Sequence, residues 1–448
     1  MLQTIKNAWK EPDIRKKVFY TLFILLLYRI GTIIPVPFVD ASAFTSQYQG
    51  TILDYLNTLS GGSLQMATLF ALGISPYITA SIVIQLLTVA IPILERWSKE
   101  GEEGKKKINN LTRYVTVLLA IGTAIGYYFL LGGSISTSNK VLGAFVVIIS
   151  YCAGAAMVMW LAEKINEKGL GNGISVILFA NIISALPAKI IRLVRLAIFG
   201  FSGGNWGLWG TVATAFGVFY IALLIAMVVF SVFVTGSERR LNVQYAKRVV
   251  GRKMYGGQSQ SLPLKLNMSG VMPVIFASSI ISLPATIMAF CGVKTTEVYL
   301  PLTVKGSFSW SNLWSNINHF LAADGWFYPI VLFILIIAFS YFYIMISFNP
   351  VEVANNLKKN GGSIPGIRPG RPTVEHITRV LNRITLIGAI FLGFIAVFPM
   401  IINMVAGGQF AGLAFGGSSL LIVVGVALET TRDLEAQMSL RHYKGFLE

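Results

Sequence analysis

Charge is scarce in this chain. Only 12% of its 448 residues are Asp, Glu, Lys or Arg, where soluble domains carry about a quarter. That shortage excludes an ordinary water-soluble fold. Acidic residues are the scarcest, 19 against 36 Lys and Arg. The two cysteines, Cys152 and Cys291, lie inside apolar blocks, so no disulfide framework is expected. The three histidines, His319, His376 and His442, are scattered without metal-ligand spacing. Nothing in the sequence converges as carboxylates, a histidine and a nucleophile would in an enzyme. Neither catalysis nor a cofactor is expected.

What remains is greasy. The chain is 54% hydrophobic with a mean hydropathy of +0.68. Apolar runs of about 20 residues, enough to cross the hydrocarbon core as a helix, recur along its length. A transmembrane barrel would show short alternating segments, so an all-α polytopic membrane protein is expected. The first apolar run is too long for a signal peptide and lacks a small-residue cleavage site, so it reads as a retained span. Spans fall near 18–38, 61–92, 112–132, 141–161, 174–194, 211–235, 269–291, 326–347, 384–404 and 414–430. These ten put both termini on one side. Most Lys and Arg sit in the N-terminal segment, the loops after even-numbered spans and the tail. The positive-inside rule makes that side cytoplasmic.

The stretch 61–92 is unusual among these runs. Gly61, Gly62, Gly73 and Pro76 interrupt it, and Ser81 and Gln85 dilute its oiliness. At about 100° per residue, Ile74, Ile78, Ser81 and Gln85 share one helical face. That mixture suits a helix bordering a passage, one that sometimes parts from its neighbour.

A short duplication accompanies it. Gly73-Ile-Ser-Pro76-Tyr-Ile78 in span 2 is matched by Gly270-Val-Met-Pro273-Val-Ile275 in span 7. Each is the second span of a five-span half, and an odd number of spans inverts one half relative to the other. Gly/Pro-interrupted spans at matching places point to a central site. Span 7 repeats the mixed stripe in Ile275, Ser278, Ser279 and Ser282. Ordinary serine-mediated helix packing would produce the same pattern, and both explanations stay open.

Two cytoplasmic loops carry more cations than orientation requires. Within 242–257 lie Arg248, Arg252 and Lys253; within 355–372 lie Lys358, Lys359, Arg368 and Arg371. Gly, Pro and aromatic residues among them suggest ordered, protruding loops that meet an acidic partner, ribosomal RNA or an acidic protein surface. An ion-coupled transporter normally carries an acid or histidine at midmembrane. Here Arg29 is the charge placed well inside a span, and it is expected to pair internally.

These residues resemble one family over nearly the whole chain. The run from Thr68 to Leu87, with Gly73, Pro76, Ser81 and Gln85, looks like the signature of the SecY family, the pore subunits of the bacterial protein translocase. Further matches are Arg29-Ile-Gly with Pro35-Val-Pro, Gly61-Gly, Gly169-Leu-Gly-Asn-Gly-Ile-Ser175, Tyr245-Ala-Lys-Arg, Leu262-Pro-Leu-Lys-Leu-Asn-Met and Gly366-Ile-Arg-Pro-Gly.

The resemblance implies two inverted five-helix halves around a central pore, passing unfolded polypeptides and releasing membrane segments sideways into lipid. The halves would be 18–195 and 211–430, between an amphipathic segment 1–17 and a tail 431–448, with cytoplasmic loops at 236–268 and 348–383. It implies a pore ring of Ile74, Ile78, Leu178, Ile275 and Phe398, where Phe398 departs from the usual aliphatic residue. A plug helix near 55–64, including Tyr55, Leu56 and Leu59, would be freed to swing by Gly61 and Gly62. A lateral gate would carry Ser81, Gln85, Ser278, Ser279 and Ser282. Arg248, Arg252, Lys253 and Arg368 would form the docking surface for the motor SecA and the ribosome. SecE and SecG would be its subunits, signal-sequence-bearing polypeptides its substrates and the bacterial cytoplasmic membrane its site. From the residues alone, a small-solute secondary transporter built on inverted repeats stays open as the alternative, with an integral-membrane enzyme third.

Overall fold

The computed structural model describes residues 9, 11–39, 57, 60–131, 139–199, 208–245, 248–250, 253–255, 259–290, 303–304, 307–308, 316, 327–405 and 417–442. Its helices are α1 (Pro12–Gly31), α2 (Ser75–Ala90), α3 (Pro92–Lys99), α4 (Glu102–Leu131), α5 (Lys140–Lys168), α6 (Gly173–Phe199), α7 (Leu208–Gly236), α8 (Met272–Phe290), α9 (Phe327–Ser347), α10 (Pro350–Lys359), α11 (Arg371–Val405) and α12 (Gly417–His442). Helix is what an apolar run must form in lipid, since it satisfies every backbone N–H and C=O within the segment. The outward faces are apolar: Leu118 on α4, Phe145 on α5, Phe233 on α7 and Ile334 on α9 are all exposed. A surface of that kind belongs against hydrocarbon.

By length and composition, four of the described helices could cross a membrane, or five if the bent pair α2–α3 is one span. That bend is 102°. Its cause is local, because Ile91 precedes Pro92 and is held extended (φ −107°, ψ 115°), out of the helical region. The short apolar stretches Gly173–Pro187, Ile221–Gly236 and Met272–Ile281 are further candidates.

The packing order repeats. α2 packs on α4, α4 on α5 and α5 on α6; later, α8 packs on α9, α9 on α11 and α11 on α12. The two series meet along two seams. On one, α6 lies against α7 and α12; on the other, α8 lies against α2 and α4. Three polar ties lie among the helices that flank the first seam, and the second of them joins the N-terminal to the C-terminal part of the chain. Arg432 Nη2 on α12 donates to Thr235 O at the end of α7 (2.9 Å). Lys17 Nζ on α1 donates to Gln437 Oε1 on α12 (2.9 Å). The backbone N–H of Leu170, between α5 and α6, donates to Thr21 Oγ1 on α1 (3.0 Å).

Strands supplement the all-α expectation. β1 (Glu238–Tyr245), β2 (Arg248–Val250), β3 (Lys253–Tyr255) and β4 (Ser259–Lys265) follow α7. β5 (Thr303–Val304) and β6 (Ser307–Phe308) pair with each other, and β7 (Gly362–Ser363) follows α10. β1 is central, antiparallel to β4 on one side and to β7 on the other, in the order β4-β1-β7. Alternation explains it: Leu241 and Val243 are buried while Arg240, Asn242 and Gln244 are exposed. Under the sheet, Leu241, Val243 and Leu264 pack with Ala354 and Leu357 of α10 and with Ile377, Leu381 and Ile384 of α11. The loops after spans 6 and 8 are thus one body with its own core.

Candidate functional site: a central apolar constriction

The matched Gly-x-x-Pro segments adopt matched backbones. Gly73 and Gly270 both take positive φ, 54° and 63°, a conformation that a side chain would strain. After each, the chain turns straight into a helix with proline in its first turn, where a missing N–H costs nothing. The first hydrogen bonds correspond as well. Tyr77 N and Ile78 N donate to Ile74 O, and Val274 N and Ile275 N donate to Val271 O. Ile78 and Ile275 therefore hold equivalent places in the opening turns of α2 and α8.

Those two side chains belong to one cluster. Ile74, Ile78, Leu178 and Ile275 are each at most 4% exposed and share a single apolar core, and Phe398 on α11 packs against it half-buried. They come from α2 and its N-cap, α6, α8 and α11, on both sides of the two seams. Phe398 stacks on Phe394 with ring centroids 5.0 Å apart. Such a cluster excludes water and offers an ion no dipole to replace its hydration.

The predicted polar stripes lie on the packed helices α2 and α8. Ser81 and Gln85 are half-buried, and Gln85 Nε2 donates to Ser81 Oγ (3.3 Å). Ser278 is buried and its hydroxyl donates to Ile275 O (3.0 Å), while Ser279 is half-buried. Ser282 lies on α8, but its side chain is outside the described residues.

Of the plug positions, Tyr55, Leu56 and Leu59 lie outside the described residues. Gly61 and Gly62 are described, both at positive φ, in a turn held by Gly62 N to Asn57 O (2.8 Å). Of the docking residues, Arg248 opens β2 and Lys253 opens β3, with Val250 opposite Lys253; Arg252 lies outside the described residues. Arg368 is exposed, and its carbonyl accepts from the hydroxyl of buried Thr373 (2.9 Å). Gln244 pairs with Ser363 and Tyr245 with Gly362, so the two basic loops sit side by side. On exposed α3, a hydrogen bond from Lys99 holds the Glu95 carboxyl below its ordinary range. Among the described residues no group of His, Cys, Asp or Glu could hold a metal.

One constellation escaped the sequence reading. Arg29 does find an internal partner, with Nη2 donating to Ala180 O (2.6 Å). Next to it the buried Asn181 donates from Nδ2 to Tyr28 Oη (2.8 Å). An amide inside the apolar run 174–194 was the available signal.

A SecY family model matches residues 68–431. The chain is 42% identical to the protein translocase subunit SecY of Streptomyces galbus, over all of both chains. Its fold is similar to a solved protein-conducting channel (TM-score 0.61, 18% identity, 97% of each chain). It is also similar to Sec61 of a canine ribosome–channel complex from the endoplasmic reticulum (TM-score 0.56, 17% identity, 97% of each chain). This chain belongs to the SecY family.

Proposed function

We propose that the chain is the protein-conducting subunit of a bacterial Sec translocon, passing unfolded polypeptides through the apolar constriction and releasing membrane segments between α2 and α8. The observation that carries this is the cluster itself. Three buried aliphatic side chains, Ile74, Ile78 and Ile275, sit at the matched glycine-proline starts of α2 and α8, and a fourth, Leu178 of α6, shares their core. Aliphatic groups on several independent helices can separate around a passing chain and close again behind it, with no chemistry required. Energy then comes from a partner.

In this proposal ten spans form two inverted halves in the cytoplasmic membrane, with both termini cytoplasmic. α2 and α8 form the lateral gate, and 55–64 is the plug. The joined sheet and hairpin, carrying Arg248, Arg252, Lys253 and Arg368, receive SecA or the ribosome. SecE and SecG complete the complex. That relatives are named as translocase subunits supports a polypeptide channel over a small-solute carrier. The test is reconstitution of the chain with its two small subunits in proteoliposomes. SecA-dependent protection of a preprotein from protease is expected; solute flux without export would overturn the proposal.

A further inference from the structure

We infer that Arg29 is a positioning residue for the resting channel, seating the Gly61 turn against α6 together with Asn181. The inference rests on the channel proposed above.

Two consecutive residues of α1 hold two consecutive residues of α6: Arg29 donates to the carbonyl of Ala180, and Tyr28 accepts from Asn181. The third party is the turn ahead of α2. A Cβ placed on Gly61 would stand 2.9 Å from Asn181 Oδ1 and 3.2 Å from Arg29 Nη1, so the backbone there rests directly on both side chains. Gly61 also has φ +70°, so only glycine seats there without strain. The same end of α1 grips the turn's far side, where the Tyr28 ring stacks on Phe70 (5.5 Å, 17°).

The turn is tied together internally. Gly62 N and Ser60 Oγ donate to Asn57 O, Gln65 N donates to Asn57 Oδ1, and Thr68 N donates to Ser63 O. Pro35 bridges to Thr68, tying the chain after α1 to the same body. Its downstream end is Gly73 and then Ile74 of the constriction. On the other side of the contact, Leu178 of the constriction stands two residues before Ala180 on α6. The Arg29 seat therefore connects the segment before α2 to two of the five constriction residues. A guanidinium suits this task because its five N–H donors can satisfy a helix carbonyl and face a turn at once.

The experiment uses the full chain reconstituted with its small subunits, as wild type, Arg29→Gln, Asn181→Ala and the double variant. Resting ion conductance is read in planar bilayers. SecA-driven export is read with two preproteins, one with an intact signal sequence and one with a charge in the signal's apolar core. Each single variant is expected to raise resting conductance on the order of tenfold, the population shift that loss of a charge-assisted or buried hydrogen bond produces. Each is expected to admit the defective signal while the intact one still exports. The double variant is expected to exceed the larger single effect little, because both remove one shared contact. Should Arg29→Gln fail to assemble, Asn181→Ala decides. Wild-type conductance and signal discrimination in the assembled variants overturn the inference. So does equal loss of both preproteins with a tight bilayer, which is a structural defect only. Failure of wild type itself to export the intact preprotein is the separate result that overturns the channel.

Discussion

In the proposed constriction, side-chain chemistry would be the whole mechanism. Ile78 and Ile275 are buried to 4% exposure each, in equivalent first turns of α2 and α8. An amide in either place brings water into a site whose seal depends on its absence. An Ile78→Asn/Ile275→Asn double variant is expected to leak ions at rest and to export preproteins with weak signals. Single-channel recording and an export assay check both, and a tight, discriminating channel would sink the ring assignment. Arg368 poses the opposite case, an exposed cation on an ordered backbone. Arg368→Glu is expected to cripple SecA-driven export while leaving expression and membrane insertion intact, because an exposed charge reversal usually changes stability within about 0.5 kcal/mol. Unchanged export and unchanged SecA binding would reduce that loop to a topology signal. The equivalence of Ile78 and Ile275 was legible in the sequence as Gly-x-x-Pro-x-Ile, whereas Leu178 and Phe398 came in only through the family resemblance. The partner of Arg29 was not, because a backbone carbonyl has no residue code.

Between elements, the decisive contact is α8 on α2. Hydrogen bonds between membrane helices average about 0.6 kcal/mol. In the proposed gate, a seam lined by Ser81, Gln85, Ser278 and Ser279 would therefore part more easily than one of interlocked large side chains. With Cys152 and Cys291 replaced, cysteine pairs joining position 81 or 85 to 278, 279 or 282 test it. A disulfide needs Cα atoms within about 7 Å. At least one pair is expected to oxidise in the resting protein, stop export, and release it on reduction, while long flexible tethers are tolerated. Export through a locked pair would show that the gate lies elsewhere. The helices themselves were legible as apolar runs. Their ends were less so: the run 61–92 is helical only from Ser75, because positive φ at Gly61, Gly62 and Gly73 coils the residues before it.

For the whole molecule, the two basic loops are one body, which the proposed topology makes cytoplasmic. Cysteines placed at Gln260 and at Arg368 are expected to react with a membrane-impermeant maleimide in inverted vesicles and to resist it in right-side-out ones. Opposite accessibility of the two would break both the topology and the docking surface. Residue types and their local order determined the membrane class, the apolar helices and the family, because each follows from hydrophobicity and short motifs. Tertiary structure decided what spans sequence distance: β7 beside β1, Gly61 on Asn181, Lys17 on Gln437, and four aliphatic side chains from α2, α6 and α8 in one cluster. Hydrophobic periodicity tells a residue which way to face. It carries no information about which distant surface will be there to meet it, and that is settled only when the helices pack.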